Sequence, residues 1–341
     1  MRGYDTDVVV VGAGVMGLAT ARALALAGRD VVVLEQFEVG HERGSSHGAS
    51  RIVRLSYPEE RWVRLAQESF PLWRELEAES GEELLELHGT LDVGDWEPNR
   101  AALDACGEQS EVLDAAEVAR RFPIRIEDGT QALYQRQGGI IRADLAVRVL
   151  AASAAAAGAQ LREGHRAEAP VEEGDGVVVD GVRAHAAIVT AGAWAPKLLG
   201  IEARTTSETV AYFPLAGPIP SVIDTTTGVH AGYALAAPTA LLKAGLHQSG
   251  QAIDPDDPVP PDERLAAGTA DWVARRFPAA DAAVRLETCL YTIRERDEFL
   301  LERRGRVVVG SACSGHGFKF APAIGRRLAA LATERDPALR G

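Results

Sequence analysis

Cysteine and long apolar runs are scarce in this chain of 341 residues. Only Cys106, Cys289 and Cys313 occur, and an odd, sparse set of cysteines does not make a disulfide framework. The sequence contains no basic amino-terminal region ahead of an apolar core, no twenty-residue apolar span and no lipidation signal. We therefore expect a protein of the reducing cytoplasm that is neither exported nor attached to a membrane.

Positive charge is scarce as well. The formal net charge is -13 and the pI is near 5.2, so a nucleic-acid backbone or an anionic lipid surface would be repelled. Basic residues are nearly all arginine, and the only lysines are Lys197, Lys243 and Lys319. A lysine retained under this bias is a candidate for a place that needs a compact ammonium group, although chance explains any single one equally well.

The chain is long enough, with 46% apolar residues, to form two domains. Residues 7–11, 16–27 and 31–34 have the pattern of a β-α-β unit. Further helices are predicted at 61–79, 115–122, 140–158 and 324–333, strands at 177–179, 187–190 and 306–311, and an antiparallel sheet within 205–261. The acidic loop at 254–257 lacks the spacing of a calcium loop and is interpreted as a solvated turn, so no metal site is expected.

A glycine-rich turn follows the first predicted strand, where residues 12–17 read GAGVMG and open the first helix. Gly12 makes the tight turn, Gly14 lets backbone amides approach a pyrophosphate, and Gly17 permits close packing of helix on strand. Glu35, at the end of the second strand, is placed to accept hydrogen bonds from ribose hydroxyls. This unit predicts dinucleotide binding but does not separate NAD from FAD.

A loop of small residues at 44–50 leads into Arg51 and Arg54. With helical or extended-turn geometry the two arginines would point to the same side. Such a pair suits the carbonyl edge of a flavin and a substrate carboxylate, because a guanidinium is a rigid fork for a planar anion. A surface pair of salt-bridged arginines is the alternative.

Four motifs, in the same order along the chain, resemble those of the monomeric sarcosine oxidase family within the D-amino-acid-oxidase-like flavoenzymes. They are the GAGVMG turn with Glu35, GSSHGASRIVR at 44–54, LKAGLH at 242–247, and the pair CLY at 289–291 and SGHGFKF at 314–320. TAGAW at 190–194 is a fifth, weaker match. The resemblance spans essentially the whole chain.

The resemblance implies an α/β fold, in which a Rossmann-like FAD-binding domain of the D-amino-acid oxidase type carries an inserted, mostly antiparallel-sheet substrate domain. We expect the FAD-binding domain to be discontinuous, at 1–86, 138–204 and 285–341. The substrate domain is then expected at 87–137 and 205–284.

The resemblance also assigns five residues to the substrate site. Arg54 and Lys319 would clamp the substrate carboxylate from two ends of the chain. Lys243 would lie above flavin N5 through a water and promote electron transfer to oxygen, because a fixed positive charge stabilises superoxide. His247 and Tyr291 would line the substrate cavity and position the amine.

Cys289 resembles the cysteine that carries FAD through a thioether to its 8α-methyl group, with an ordinary buried cysteine as the alternative and Cys313 as a rival attachment point. His316 and its flanking glycines are expected to form a turn whose N–H groups donate to the pyrimidine edge of the flavin. The residues implied to bind FAD are Gly12, Gly14, Val15, Met16, Gly17, Glu35, Gln36, Ser45, Ser46, His47, Arg51, Ala191, Gly192, Trp194, Cys289, Gly315, His316, Gly317, Phe318 and Lys319.

The implied reaction is oxidation of the C–N bond of a small secondary or tertiary amino or imino acid, with oxygen reduced to hydrogen peroxide and the imine hydrolysed. The expected partners are this substrate and oxygen, acting on a monomer. A dehydrogenase of the same fold with another electron acceptor, a nicotinamide-dependent dehydrogenase and a non-catalytic FAD-binding protein are the alternatives. The substrate stays open among sarcosine, larger N-methyl amino acids, proline-like or pipecolate-like rings and glycated amino acids, because residues 236–240 depart from the family's more aromatic run.

Overall fold

The computed structural model describes residues 3–217 and 219–333. The helices in these ranges are α1 (Val15–Leu26), α2 (Glu60–Ser80), α3 (Glu97–Ala105), α4 (Ala115–Arg121), α5 (Ala143–Ala156), α6 (Ala195–Leu199), α7 (Glu263–Arg276) and α8 (Ala321–Thr333). Among them, no helix has both the length and the apolar character needed to cross a membrane.

The strands, in chain order, are β1 (Thr6–Val11), β2 (Val31–Leu34), β3 (Arg51–Val53), β4 (Leu85–Glu86), β5 (Thr90–Val93), β6 (Glu111–Asp114), β7 (Gln131–Gln135), β8 (Gly139–Ile141), β9 (Gln160–Arg162), β10 (Val171–Glu173), β11 (Gly176–Val179), β12 (Val182–Val189), β13 (Arg204–Pro214), β14 (Ser221–Asp224), β15 (Gly232–Ala237), β16 (Leu241–Leu246), β17 (Gln251–Ala252), β18 (Arg285–Ile293), β19 (Leu300–Arg304) and β20 (Val307–Ser311). They form an eight-stranded, a nine-stranded and a three-stranded sheet.

The eight-stranded sheet has a parallel centre. β1 lies between β2 and β12, with β9 beyond β2 and β20 beside β12, and these five strands are parallel. Val8, Val9 and Val10 have no exposed surface, as expected for a parallel strand that is covered on both faces. β10, β11 and β19 extend the sheet in antiparallel pairings. The predicted β-α-β unit is therefore confirmed, with β2 at the predicted residues 31–34.

Helices α1, α5 and α8 pack together on this sheet. Gly325 allows α8 to cross α1 closely, because a Cβ at that position would lie 2.6 Å from the backbone carbon of Ala19. This crossing buries α1 and fixes its amino-terminal end at the carboxyl end of β1, which is where ligands bind in open α/β sheets.

The nine-stranded sheet has the order β17-β13-β16-β15-β14-β5-β7-β6, with β18 also paired to β13. Every pairing in it is antiparallel except β5 with β14, which confirms the antiparallel sheet predicted within 205–261. Helix α7 covers one face and buries Trp272 and Phe277 against the sheet. Because β16 and β18 flank β13, residues from the middle and the end of the chain come together here.

Several local predictions need correction. Residues 139–141 form β8, so the helix predicted from residue 140 begins at Ala143. Helices α3 and α7 were not predicted, because α3 is short and much of the surface of α7 is polar. β18 pairs with β13 of the nine-stranded sheet, and the expected domain boundary at residue 285 stays a prediction.

Candidate active site

A cavity of about 790 Å³ extends from the glycine turn after β1 to the nine-stranded sheet. This volume is within the range of cofactor and ligand cavities. Of the residues predicted for the site, all but Gly17 line it. They are Gly12, Gly14, Val15, Met16, Glu35, Gln36, Ser45, Ser46, His47, Arg51, Arg54, Ala191, Gly192, Trp194, Lys243, His247, Cys289, Tyr291, Gly315, His316, Gly317, Phe318 and Lys319.

The glycine turn has the geometry that the sequence predicts. Gly12 has φ +97°, and a Cβ there would lie 2.7 Å from the carbonyl oxygen of Thr190. A Cβ at Gly17 would overlap the carbonyl oxygen of Gly12, so this glycine packs beneath the turn instead of lining the cavity. Helix α1 begins at Val15 and directs its amino-terminal end at the cavity, which favours an anion there.

Glu35 is buried at the end of β2. Its Oε2 accepts from the backbone N–H of Ala13 at 2.7 Å, and its Oε1 accepts from that of Phe37 at 3.0 Å. Burial raises the pKa of Glu35, but hydrogen bonds from His41, Ala13 and Phe37 outweigh it and hold the pKa below its usual value. The carboxylate is thus held charged next to the glycine turn, and its predicted contact with ribose hydroxyls stays a prediction.

Arg51 organises the loop at 44–50. Its Nη2 donates to the carbonyl oxygens of Ser45 at 3.0 Å and His47 at 2.6 Å, and to Sγ of Cys289 at 3.3 Å. Burial and the charges of Arg51 and Lys243 lower the pKa of His47 to about 3, so its ring is neutral at physiological pH. Through its hydrogen bonds to Ser45, His47 and Cys289, the Arg51 guanidinium links the loop at 44–50 to β18.

The expectation that Arg51 and Arg54 point to the same side is wrong. Arg51–Val53 is a strand, and side chains three residues apart in a strand lie on opposite faces. Arg51 contacts Cys289, whereas Arg54 pairs through Nη1 with Oδ1 of Asp92 at 3.2 Å. The two arginines therefore belong to different parts of the cavity.

Cys289 and Cys313 both line the cavity, in different surroundings. Cys289 accepts a hydrogen bond from Arg51, and its Sγ is 3.9 Å from the carbonyl oxygen of Ser45. Cys313 has no such cation; burial raises the pKa of its thiol. Of these two cysteines, Cys289 is therefore the one whose sulfur accepts from a cationic side chain.

Lys243 is buried in β16, with 4% of its surface exposed. Its Nζ donates to the carbonyl oxygen of Ser50 at 3.2 Å. A Cβ at Gly48 would lie 3.1 Å from this Nζ and 3.2 Å from Nη1 of Arg51, so the absence of a side chain at Gly48 lets both cations approach. Burial, and then the charge of Arg51, lower the pKa of Lys243 to about 7.

Arg54, Tyr57 and Lys319 form what we call the carboxylate corner. Nζ of Lys319 donates to Oη of Tyr57 at 2.9 Å and to the carbonyl oxygen of His316 at 2.7 Å. Cζ of Arg54 lies 4.4 Å from the centroid of the Tyr57 ring. Burial, and then the charge of Arg54, hold the pKa of Lys319 well below its usual value. Two basic groups from opposite ends of the chain thus meet around one phenol.

His247 and Tyr291 are adjacent, with ring centroids 5.7 Å apart. Gly315 packs against both: a Cβ there would lie 2.5 Å from Cε2 of Tyr291 and 2.6 Å from Cε1 of His247. Burial, and then Arg54 and Lys319, lower the pKa of His247 to about 4, and burial raises the pKa of Tyr291 well above its usual value. Both side chains are therefore neutral at physiological pH.

The turn around His316 forms as predicted, with φ +76° at Gly315. Its amides, however, are used within the turn, since the N–H groups of His316 and Gly317 donate to the carbonyl oxygen of Cys313 at 2.9 and 3.0 Å. The expected donation of these two N–H groups to a flavin ring is therefore corrected.

The acidic loop at 254–257 is a turn with exposed Asp254 and Asp257, as interpreted, and it also reaches the cavity wall through Asp256. Oδ1 of Asp256 accepts from Nε1 of Trp194 at 2.8 Å, and its Oδ2 accepts from Lys197 at 2.9 Å and Arg166 at 2.9 Å. Asp254 also pairs with Lys197. Lys197 is thus the one lysine of the three in a surface ion pair, while the other two are buried.

Three cavity or corner residues escaped the sequence interpretation. Tyr57 follows the arginine loop directly, Tyr233 lies in β15, and Asp92 lies in β5. A charged residue inside the apolar stretch TLDV was the available signal for Asp92, because an acid in a buried strand needs a partner.

The chain is similar over most of its length to known proteins. The family model "FAD dependent oxidoreductase" matches residues 7–331. The peroxisomal sarcosine oxidase of Mus musculus is 31% identical, across 97% of this chain and 93% of its own. The N-methyl-L-tryptophan oxidase of Yersinia pestis is 28% identical, across 97% and 96%. The structure of NikD, an amino acid oxidase essential for nikkomycin biosynthesis, superposes with a TM-score of 0.87 at 29% identity, across 98% and 96%.

The chain therefore belongs to the FAD-dependent oxidoreductase family that includes the sarcosine and N-methyltryptophan oxidases. The predicted fold class, a Rossmann-like FAD-binding unit combined with a largely antiparallel sheet, is confirmed.

The cavity suits FAD on its own chemistry. The glycine turn brings the backbone close to the cavity at the start of α1, where a pyrophosphate would lie. There a Cβ built on Gly14 would lie 3.2 Å from Oγ of Ser46, which accepts from the N–H of Val15 at 3.1 Å. Within the described residues, Nε2 of His47 and Nδ1 of His316 are buried without a hydrogen-bond partner. Unpaired polar atoms in a buried wall are typical of a site that binds a polar group.

Proposed function

We propose that this enzyme oxidises the C–N bond of a small secondary or tertiary amino or imino acid and reduces oxygen to hydrogen peroxide. One observation carries the proposal: a single cavity is lined by the glycine turn at one end and by the carboxylate corner and Lys243 at the other. Its relatives, a sarcosine oxidase and an N-methyl-L-tryptophan oxidase, support the same substrate class.

The carboxylate corner would bind the substrate. Arg54 and Lys319 supply two cationic donors in a closed space, which both orient a carboxylate and neutralise it. Binding of an anion would also favour the ammonium form of Lys319, whose pKa is otherwise held down by burial and by Arg54. His247 and Tyr291 are neutral and so do not favour the ammonium form of the substrate amine. They therefore suit an amine that reacts in its neutral form.

Bound FAD would supply a two-electron acceptor for the hydride that leaves the carbon next to nitrogen, and oxygen would take up these electrons. We propose that the glycine turn, Glu35 and the loop at 44–50 hold its nucleotide part. Lys243 would supply a positive charge where oxygen gains electrons. The substrate leaves as an imine, which water hydrolyses.

We further propose that Cys289 carries FAD covalently. The support is the 3.3 Å contact of Arg51 with its Sγ, which places a cationic donor on this sulfur. Thioether formation would replace the S–H bond and one C–H bond of the 8α-methyl group by a C–S bond and would leave the flavin reduced by two electrons, which oxygen would then take up. Cys313 lacks a comparable donor from a cationic side chain and has a raised pKa.

The test is peroxide release from a panel of amines that includes sarcosine, N-methyltryptophan, proline and pipecolate, measured with a peroxidase-coupled dye. We expect one class to release peroxide at the rate at which it consumes oxygen. Arg54→Gln should abolish turnover, while Arg100→Gln, a matched change at an exposed surface pair in α3, should not. Anaerobic bleaching of the flavin without peroxide in air would favour the dehydrogenase with another acceptor.

The cytoplasmic location, the monomeric state and the domain division also stand as proposals. The division has an FAD-binding domain at 1–86, 138–204 and 285–341 and a substrate domain at 87–137 and 205–284. Scarcity of cysteine supports the location. Light scattering after size exclusion tests the monomer, and a mass of twice 36.3 kDa would contradict it.

A further inference from the structure

A buried carboxylate contacts the arginine of the carboxylate corner. Asp92 in β5 is 4% exposed, and its Oδ1 accepts from Nη1 of Arg54 at 3.2 Å. Its Oδ2 accepts from Oγ of Ser56 and from Nδ2 of Asn99, the latter at 3.2 Å. Three donors therefore hold this carboxylate in one position.

Asp92 also stands beside the cavity. In the parallel pairing of β5 with β14 its register partner is Ile223, which lines the cavity. Arg54 lies over the ring of Tyr57, whose hydroxyl accepts from Lys319. The two basic side chains of the corner are thus accompanied by one acid, Asp92, which contacts Arg54 from outside the corner.

Such a buried pair is weak evidence for a role in stability, because desolvation offsets most of the attraction. Its effects on a bound anion are more definite. The pair fixes the guanidinium before the substrate arrives, which favours a productive orientation. It also places a negative charge within 3.2 Å of the same guanidinium, which weakens the binding of any carboxylate.

We propose that Asp92 is a positioning residue that holds Arg54 in the orientation needed for turnover and lowers the affinity of the corner for carboxylates. This inference rests on the proposed function, since it takes Arg54 as the substrate-binding arginine. It predicts a split between affinity and turnover: loss of the Asp92 charge tightens the binding of a simple anion while slowing the oriented reaction.

The experiment uses the flavin-loaded enzyme with acetate as the probe, followed by the change in visible flavin absorbance. Asp92→Asn should lower the Kd of acetate about tenfold, the effect of one pKa unit of charge interaction. It should also lower kcat with the amine found in the screen by tenfold or more. Asp92→Glu keeps the charge and should leave the acetate Kd within about twofold, and Asp104→Asn, at an exposed carboxylate in α3, should change neither quantity.

An unchanged or raised Kd for acetate in folded Asp92→Asn would overturn the inference, since a purely structural defect weakens binding and turnover together. If Asp92→Asn does not fold, Asn99→Ala decides, because it removes one donor to Asp92 and keeps the charge. A lower kcat at constant acetate Kd would then support the inference, and an unchanged kcat would refute it.

Arg54→Gln separates this inference from the proposed function. If acetate binds Arg54→Gln as well as it binds the unmodified enzyme, the carboxylate corner itself is refuted. If Arg54→Gln weakens acetate but Asp92→Asn has no effect, only the role of Asp92 fails.

Discussion

Replacement of Lys319 by Met should weaken carboxylate binding and yet stabilise the protein at neutral pH. The ammonium is buried, at 6% exposed, and its Nζ donates to Tyr57 and to the carbonyl oxygen of His316. Among the described residues, no carboxylate lies within ion-pair distance of this Nζ, and the charge of Arg54 opposes it. A buried lysine of this kind favours ligand binding but lowers the stability of the folded protein.

The magnitude follows from linkage. The unfolded lysine titrates near pH 10.4, whereas burial and Arg54 hold the pKa of folded Lys319 well below that value. Between the two pKa values the unfolded chain binds more protons, so stability falls by about 1.4 kcal/mol for each pH unit lost. Lys319→Met removes this slope but also removes two hydrogen bonds, at about 1–3 kcal/mol. Near pH 10 the variant should therefore be less stable than the unmodified protein. At a pH about one to two units lower it should be more stable than the unmodified protein.

The assay is urea unfolding of the flavin-loaded protein at pH 7, 8, 9 and 10, followed by tryptophan fluorescence. Lys197→Met is the matched control, because the surface pair with Asp254 and Asp256 raises the pKa of Lys197. Stability from a raised lysine pKa is fully present below the unfolded pKa and is lost only as pH rises through the folded pKa. The control should thus be less stable than the unmodified protein by an amount that stays constant below about pH 10.

Binding gives the second arm of this test. Loss of a hydrogen bond to a charged group costs about 1.5–3 kcal/mol, so the Kd of acetate should rise about 10-fold to 150-fold in Lys319→Met. A stability difference that does not change with pH, or an unchanged acetate Kd, would refute the reasoning.

Three further predictions concern other residues. Acid-precipitated protein should stay yellow, and Cys289→Ser should give a colourless precipitate; a yellow pellet from this variant would point to Cys313. Lys243→Met should slow reoxidation of the reduced enzyme by oxygen about 100-fold or more in stopped flow, with little effect on anaerobic reduction. In the unmodified enzyme the same rate should fall as pH rises through about 7, the pKa to which burial lowers Lys243. Asp224→Ala should lower the free energy of unfolding by about 3–5 kcal/mol in urea titrations, because it leaves the buried guanidinium of Arg276 short of a partner.

Much of the fold could be predicted because its signals are local. An apolar run followed by GAGVMG and a helical pattern predicts β1, α1 and β2 without knowledge of any distant residue. The helix at residues 60–80 likewise has a broad apolar face that is readable from its own sequence. Helices α3 and α7 were missed because each is short or polar on most of its surface. Packing, against α2 for α3 and against the nine-stranded sheet for α7, decides such helices more than propensity does.

The sequence alone determined the class of cofactor turn, the charge balance and the unusual retention of two lysines that prove to be buried. Only the tertiary structure decided which arginine faces which partner. Arg51 meets Cys289 across 238 positions, and Arg54 meets Asp92 across 38. Contacts of this kind depend on the order and register of strands in three sheets, and no local pattern encodes them, because side-chain direction in a strand reverses with every residue.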